Sequence, residues 1–124
     1  VGLDPEESVR FRNLISDLSS NCIVILSSNI VSEIETIADE VAIMKTGQLI
    51  TKGTQDDIVD TVREKVFESM IDDTGLAILK EKCLVVNITR KKDKVLVRYI
   101  ADSPINDAVN CTATLEDAYL YLTK

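Results

Sequence analysis

The residues best suited to chemistry come early in the chain. Ser27, Ser28 and Asn29 close the apolar run Cys22-Ile23-Val24-Ile25-Leu26 and precede the acidic segment Val31-Ser32-Glu33-Ile34-Glu35. A run apolar at every position and too short for a helix has the pattern of a strand buried on both faces, usually in a parallel sheet. Ligands of such sheets bind beyond the carboxyl ends of the strands. Two hydroxyls and an amide at that end can hydrogen-bond a phosphate or an attacking water. They can equally form an ordinary strand-to-helix turn, with Ser or Asn capping the next helix. Asp4 is the other early candidate. In Asp4-Pro5-Glu6-Glu7 its carboxylate stands at an N-cap, with proline at the first helical position and glutamate at the third.

Other chemistries are excluded by composition. The chain of 124 residues has no histidine, so no Ser-His-Asp or Cys-His mechanism operates within it. Cys22, Cys83 and Cys111 are odd in number and irregularly spaced, which fits neither a disulfide framework nor a zinc site. Cys22 and Cys83 each open a Val/Ile/Leu run and read as small core residues. The net charge of −7 argues against non-specific binding to nucleic acid or anionic lipid. No run is long enough to span a membrane, and no signal-peptide pattern opens the chain. Hydrophobic residues make up 45% and aromatic residues only 4%, so a core must be built from Val, Ile and Leu.

The positioning elements follow from periodicity. Phe11, Leu14, Ile15 and Leu18 recur at helical spacing after the Asp4 cap. Cys22–Leu26 reads as a strand, and a helix is expected over about Val31–Ala38. Val41–Met44 and Leu49–Ile50 flank Thr46-Gly47 as a hairpin. Thr54 with Asp57 opens a short helix through Ile58, Val59 and Val62. Charge then shifts: residues 1–57 hold 10 Asp/Glu against 4 Lys/Arg, and residues 58–124 hold 11 against 10. The second stretch therefore reads as a separate small unit of β-α-β-β-α order. It comprises a strand at Val66–Ile71, a weakly patterned helix at Thr74–Glu81, and a hairpin over 83–101 with Lys91-Lys92-Asp93 at its tip. Asp102–Cys111 reads as loop. A last helix is capped by Thr114 with Asp117 at N3, its inner face Leu115, Ala118, Tyr119 and Leu122. The cluster Arg90, Lys91, Lys92 and Lys94 reads as a solvated hairpin tip, with lipid headgroups, nucleic acid or a protein partner as alternatives.

The order of these pieces resembles the last third of an ATP-binding-cassette (ABC) ATPase. Gly2-Leu3-Asp4-Pro5 is similar to the D-loop. Ser27-Ser28-Asn29 is similar to the H-loop at a strand end, with Asn29 where that family has histidine. Glu33, Glu35 and Asp39 match its acidic helix, and Ile43 through Gly47 to Gly53 matches its closing hairpin. Thr114-Leu115-Glu116-Asp117-Ala118-Tyr119 resembles the end of the small domain appended to many antibiotic- and drug-efflux ATPases, with Ala113 where a proline is usual.

The resemblance implies an α/β fold: residues 1–57 as the C-terminal part of a P-loop NTPase-type ABC ATPase domain, and residues 58–124 as the appended α+β domain. It implies nucleotide-binding roles for Asp4 and Ser28, and a catalytic position at Asn29. Asp4 would reach the partner subunit's ATP site in a closed dimer, although its cap role alone accounts for it. ATP and Mg²⁺ would belong to the parent protein, and its partners would be a membrane permease and a second ATPase subunit. It would be cytoplasmic and peripheral at the inner face of the membrane, exporting a substrate that the permease selects. Walker A, the signature motif and Walker B would precede this chain, so the 124 residues are expected to be inactive alone and to self-associate through the apolar run. The alternative is a non-enzymatic regulatory or interaction module with a degenerate nucleotide site.

Overall fold

The computed structural model describes residues 4–28, 30–105 and 108–124. Among them the chain is a small α/β protein with five helices and two antiparallel sheets. It divides into two compact units, Val1–Asp39 and Glu40–Lys124.

The first unit carries α1 (Pro5–Ser19) and α2 (Val31–Glu35). Asp4 Oδ1 accepts from the Glu7 backbone N–H at 2.8 Å, and Pro5 supplies a helical φ where no intrahelical donor is needed. The apolar stripe predicted on α1 is present, but Phe11, Leu14 and Leu18 stand exposed. Helix α2 is shorter than expected, and its turn continues through bonds from Ile37 and Ala38 N–H to the Ile34 carbonyl.

The expected strand at Cys22–Leu26 does not form, and the run crosses the unit without ladder pairing. A strand needs a neighbour to exchange N–H and C=O bonds with, and no described strand lies beside these residues in a sheet. Ile23 and Ile25 are accordingly 93% and 91% exposed. Cys22 is exposed as well, not a core residue.

The second unit begins with a hairpin of β1 (Glu40–Lys45) and β2 (Gln48–Thr54), longer than the apolar residues alone suggest. Thr46 and Gly47 turn it with φ of 53° and 76°, both in the left-handed region that matches strand twist. Thr54 Oγ1 accepts from Asp57 N–H and starts α3 (Gln55–Val59). This helix lies against the last one, and Lys45 Nζ donates to the Thr123 carbonyl. The hairpin and α3 thus belong to the same compact unit as everything after residue 57, although the charge shift falls at 57/58.

The larger sheet has the order β4-β5-β3-β6, from β3 (Val66–Ile71), β4 (Leu84–Lys91), β5 (Lys94–Ile100) and β6 (Val109–Asn110). The expected β-α-β-β-α order gains the short β6, inside the stretch read as loop. Cys111 N–H bonds the Val66 carbonyl just beyond it at 2.8 Å. Tertiary pairing, rather than propensity, makes that strand.

One face of the sheet presents Phe67, Val95, Val97 and Tyr99 to Leu76 and Leu79 of α4 (Asp73–Lys82). Strand alternation places Arg98 and Ile100 on the opposite face, toward α5 (Leu115–Leu122). Leu115 and Ala118 are buried as expected on α5, whereas Tyr119 and Leu122 are half-buried. Tyr99 is fully buried, and its hydroxyl is satisfied by Ser69 Oγ at 3.2 Å and Ile105 N–H at 3.2 Å.

Candidate functional site

The three candidate residues of the first unit are not assembled into one site. Asp4 is exposed and spends its carboxylate on the Glu7 N–H. Ser28 Oγ accepts from Ile30 N–H at 3.0 Å and donates to Glu33 Oε2 at 3.3 Å. Ser27 is exposed. Asn29, the position of the missing histidine, lies outside the described residues. No hydrogen bond or ion pair joins Asp4 to Ser28 among the described residues. The bonds of Ser28 are those of a local turn leading into α2, but neither serine caps that helix, whose N-cap is Ile30 with no side-chain bond, and no strand precedes it among the described residues.

These residues do not by themselves fit a triphosphate with its metal. A triphosphate needs cationic donors or a row of backbone N–H groups, and the ionic partner of Ser28 is a carboxylate. Among the described residues no group of three or more His, Cys, Asp or Glu side chains could hold a metal ion. No helix there is long and apolar enough to cross a membrane.

The densest polar cluster lies in the second unit, where the sequence pointed only to a cap. Arg98 on β5 makes a two-pronged contact with Asp117 on α5, Nε to Oδ1 at 3.1 Å and Nη2 to Oδ2 at 2.6 Å. It also reaches the Thr112 carbonyl at 2.8 Å and Glu68 Oε1 at 3.4 Å. Asp117 closes the capping box with Thr114, accepting from its N–H at 2.9 Å and its hydroxyl at 3.0 Å. Burial pushes the Asp117 carboxyl up, but bonds from Arg98 and Thr114 outweigh it and hold it below its ordinary value. The same bond raises the Arg98 guanidinium further above its ordinary value, against burial.

Cys111 donates to Glu68 Oε1 at 3.1 Å. Burial first, and then that bond beside the Glu68 charge, push its thiol up to about 11. A thiol so raised is a poor nucleophile at neutral pH. The cluster is therefore a clasp between sheet and helix, built on a short two-pronged ion pair. One signal for it was present in the sequence, an arginine at an inner position of an otherwise apolar strand, which must find a carboxylate when its strand is covered on both faces.

Compared with known proteins, the chain matches no protein-family model, and no curated protein sequence matches it.

Proposed function

We propose that this chain is the C-terminal part of the ATP-binding subunit of an ABC exporter, with residues 58–124 as its appended domain. The observation that carries the reading is the exposed apolar surface of the first unit. Ile23, Ile25 and the α1 stripe have the side chains of a central strand and its covering helix, yet they stand in water. Each such side chain forgoes about 1.5–3 kcal/mol of burial. A run apolar on both faces is suited to a sheet whose other strands come from further sequence. The order of α1, apolar run, α2 and hairpin supports the reading, as does the Asp4 cap on α1. On this proposal the phosphates and Mg²⁺ are held by preceding sequence, the permease and a second ATPase subunit are the partners, and the subunit sits at the inner face of the membrane.

A second reading is favoured by one contact. Ser28 gives its proton to Glu33 and bonds no cation among the described residues, which suits a non-enzymatic interaction module with a degenerate nucleotide site. The coding sequence upstream of residue 1 separates the two. A glycine-rich loop ending in lysine and a strand ending in Asp-Glu are expected there, and their absence overturns the ATPase reading. Calorimetry of the 124 residues with Mg-ATP is expected to give no saturable heat. In the complete subunit, Asn29→His is expected to raise turnover, and unchanged turnover would show that this position does not limit hydrolysis.

A further inference from the structure

Strand β4 is an edge of the four-stranded sheet, and no strand pairs with its outer side among the described residues. The hairpin turns on Lys92 and Asp93, so the Lys91–Lys94 pair that flanks the turn exchanges its bonds inward. Bonding then alternates along the antiparallel ladder. The N–H and C=O groups of Arg90 and Ile88, opposite Val95 and Val97, therefore point outward. Both sheet faces are covered, by α4 on one side and α5 on the other. On the four-stranded sheet the open valence is thus the β4 edge.

Charge is the second observation. Residues 80–94 hold six Lys/Arg (Lys80, Lys82, Arg90, Lys91, Lys92, Lys94) against Glu81 and Asp93, a net of +4 in a chain of net −7. Apart from Arg90, which reaches Asp73 at 3.1 Å, none of these six makes an ion pair among the described residues. Arg90, Lys91, Lys92 and Lys94 stand at the hairpin end of the open edge, and Lys80 and Lys82 close the helix that leads into β4. A β-bulge between Val85 and Asn87 ends the regular edge on one side, leaving Asn87–Lys91 as the usable stretch.

We propose that β4 takes up an extended acidic peptide segment of a partner protein by strand addition. Main-chain bonds to Ile88 and Arg90 supply affinity, and the flanking lysines select an acidic sequence. The proposal is independent of any ATPase activity, because it uses only the second unit.

The test is fluorescence anisotropy of the whole 124-residue chain with a fluorescein-labelled heptapeptide of alternating glutamate and valine. Saturable, salt-weakened binding is expected, with no binding of the same peptide N-methylated at every backbone nitrogen, which leaves neither edge a donor. Arg90→Pro removes the outward donor as well as the charge, while Arg90→Gln removes the charge alone. Arg90→Pro is expected to bind about fivefold more weakly than Arg90→Gln, the loss of one backbone hydrogen bond. The N-methylated peptide keeps the test decisive if Arg90→Pro unfolds. Equal binding of the N-methylated peptide, or none of the parent peptide, overturns the proposal. So does sedimentation of the chain with phosphatidylserine vesicles in place of peptide binding, or a dimer formed through β4 and broken by Arg90→Pro.

Discussion

The two units have nearly the same apolar content and opposite fates for it. Apolar residues number 17 of the first 39 and 39 of the last 85. Every buried residue among those described nevertheless lies in the second unit, and none lies between residues 4 and 39. Composition alone thus does not make a core. The second unit has layers: α4 covers one face of a sheet, and α5 lies on the other side with α3 against it. The first has a helix stripe and an apolar run with no second layer to close on. Hydrophobic burial needs two surfaces of matching pattern, and only one of the units supplies both.

The largest expected effect comes from cutting the chain between Asp39 and Glu40. Residues 40–124 are expected to melt cooperatively by circular dichroism, with the midpoint of the whole chain. Residues 1–39 are expected to show no cooperative transition. The longer helix there has 15 residues, near the length at which isolated helices are marginal. Loss of the transition in residues 40–124 would break the comparison, because the second unit would then depend on the first.

The Arg98–Asp117 clasp sharpens the comparison inside the second unit. Asp117→Ala is expected to lower its stability by about 3 kcal/mol, since Arg98 is left partly buried without its partner and the α5 cap is lost. The sign with pH follows from the depressed carboxyl. Its contribution is fully present above its ordinary value of 3.8 and is lost as pH falls through the lower folded-state value. Urea melts of the wild type and the variant should therefore differ by a constant amount near neutrality and converge in acid. A gap that persists unchanged to pH 2 would show that Asp117 acts through its capping bonds with Thr114 and not through the ion pair.

What the sequence made legible was local, and what it hid was long-range. Strand Val66–Ile71, the 83–101 hairpin and the caps at Asp4, Thr54 and Thr114 are set by alternation, turn residues and spacings of three, all readable along the chain. Strand β6 at Val109–Asn110 was hidden, because its only cause is the neighbouring β3. The clasp was half legible: Asp117 was visible as a cap residue, but Arg98 lies 19 positions away across a turn of the fold. Cys22–Leu26 shows the converse. Its pattern is fully apolar, but a strand is a property of a pair, and no strand pairs with it among the described residues. The candidate site fared likewise. Asp4 and Ser28 were found where capping and turn logic put them, and nothing in the described residues joins them.

The smallest expected effect on stability is the most informative about the first unit. Replacing Ile23 and Ile25 together by serine removes side chains that are already more than nine-tenths exposed. Little burial is lost, so the melt of the second unit is expected to move by less than about 0.5 kcal/mol. The effect should appear in association. Exposed isoleucines beside unpaired N–H and C=O groups recruit other chains, and the wild type is expected to elute as a larger species by light scattering coupled to size exclusion. The serine pair should shift it toward monomer with no change in the melt. If the wild type is itself monomeric across a wide concentration range, water alone covers the run, and the apolar surface of the first unit then draws no partner from its own kind. A fall in stability that tracks the loss of association would show the reverse: burial between copies gives the first unit the layer it lacks within one chain.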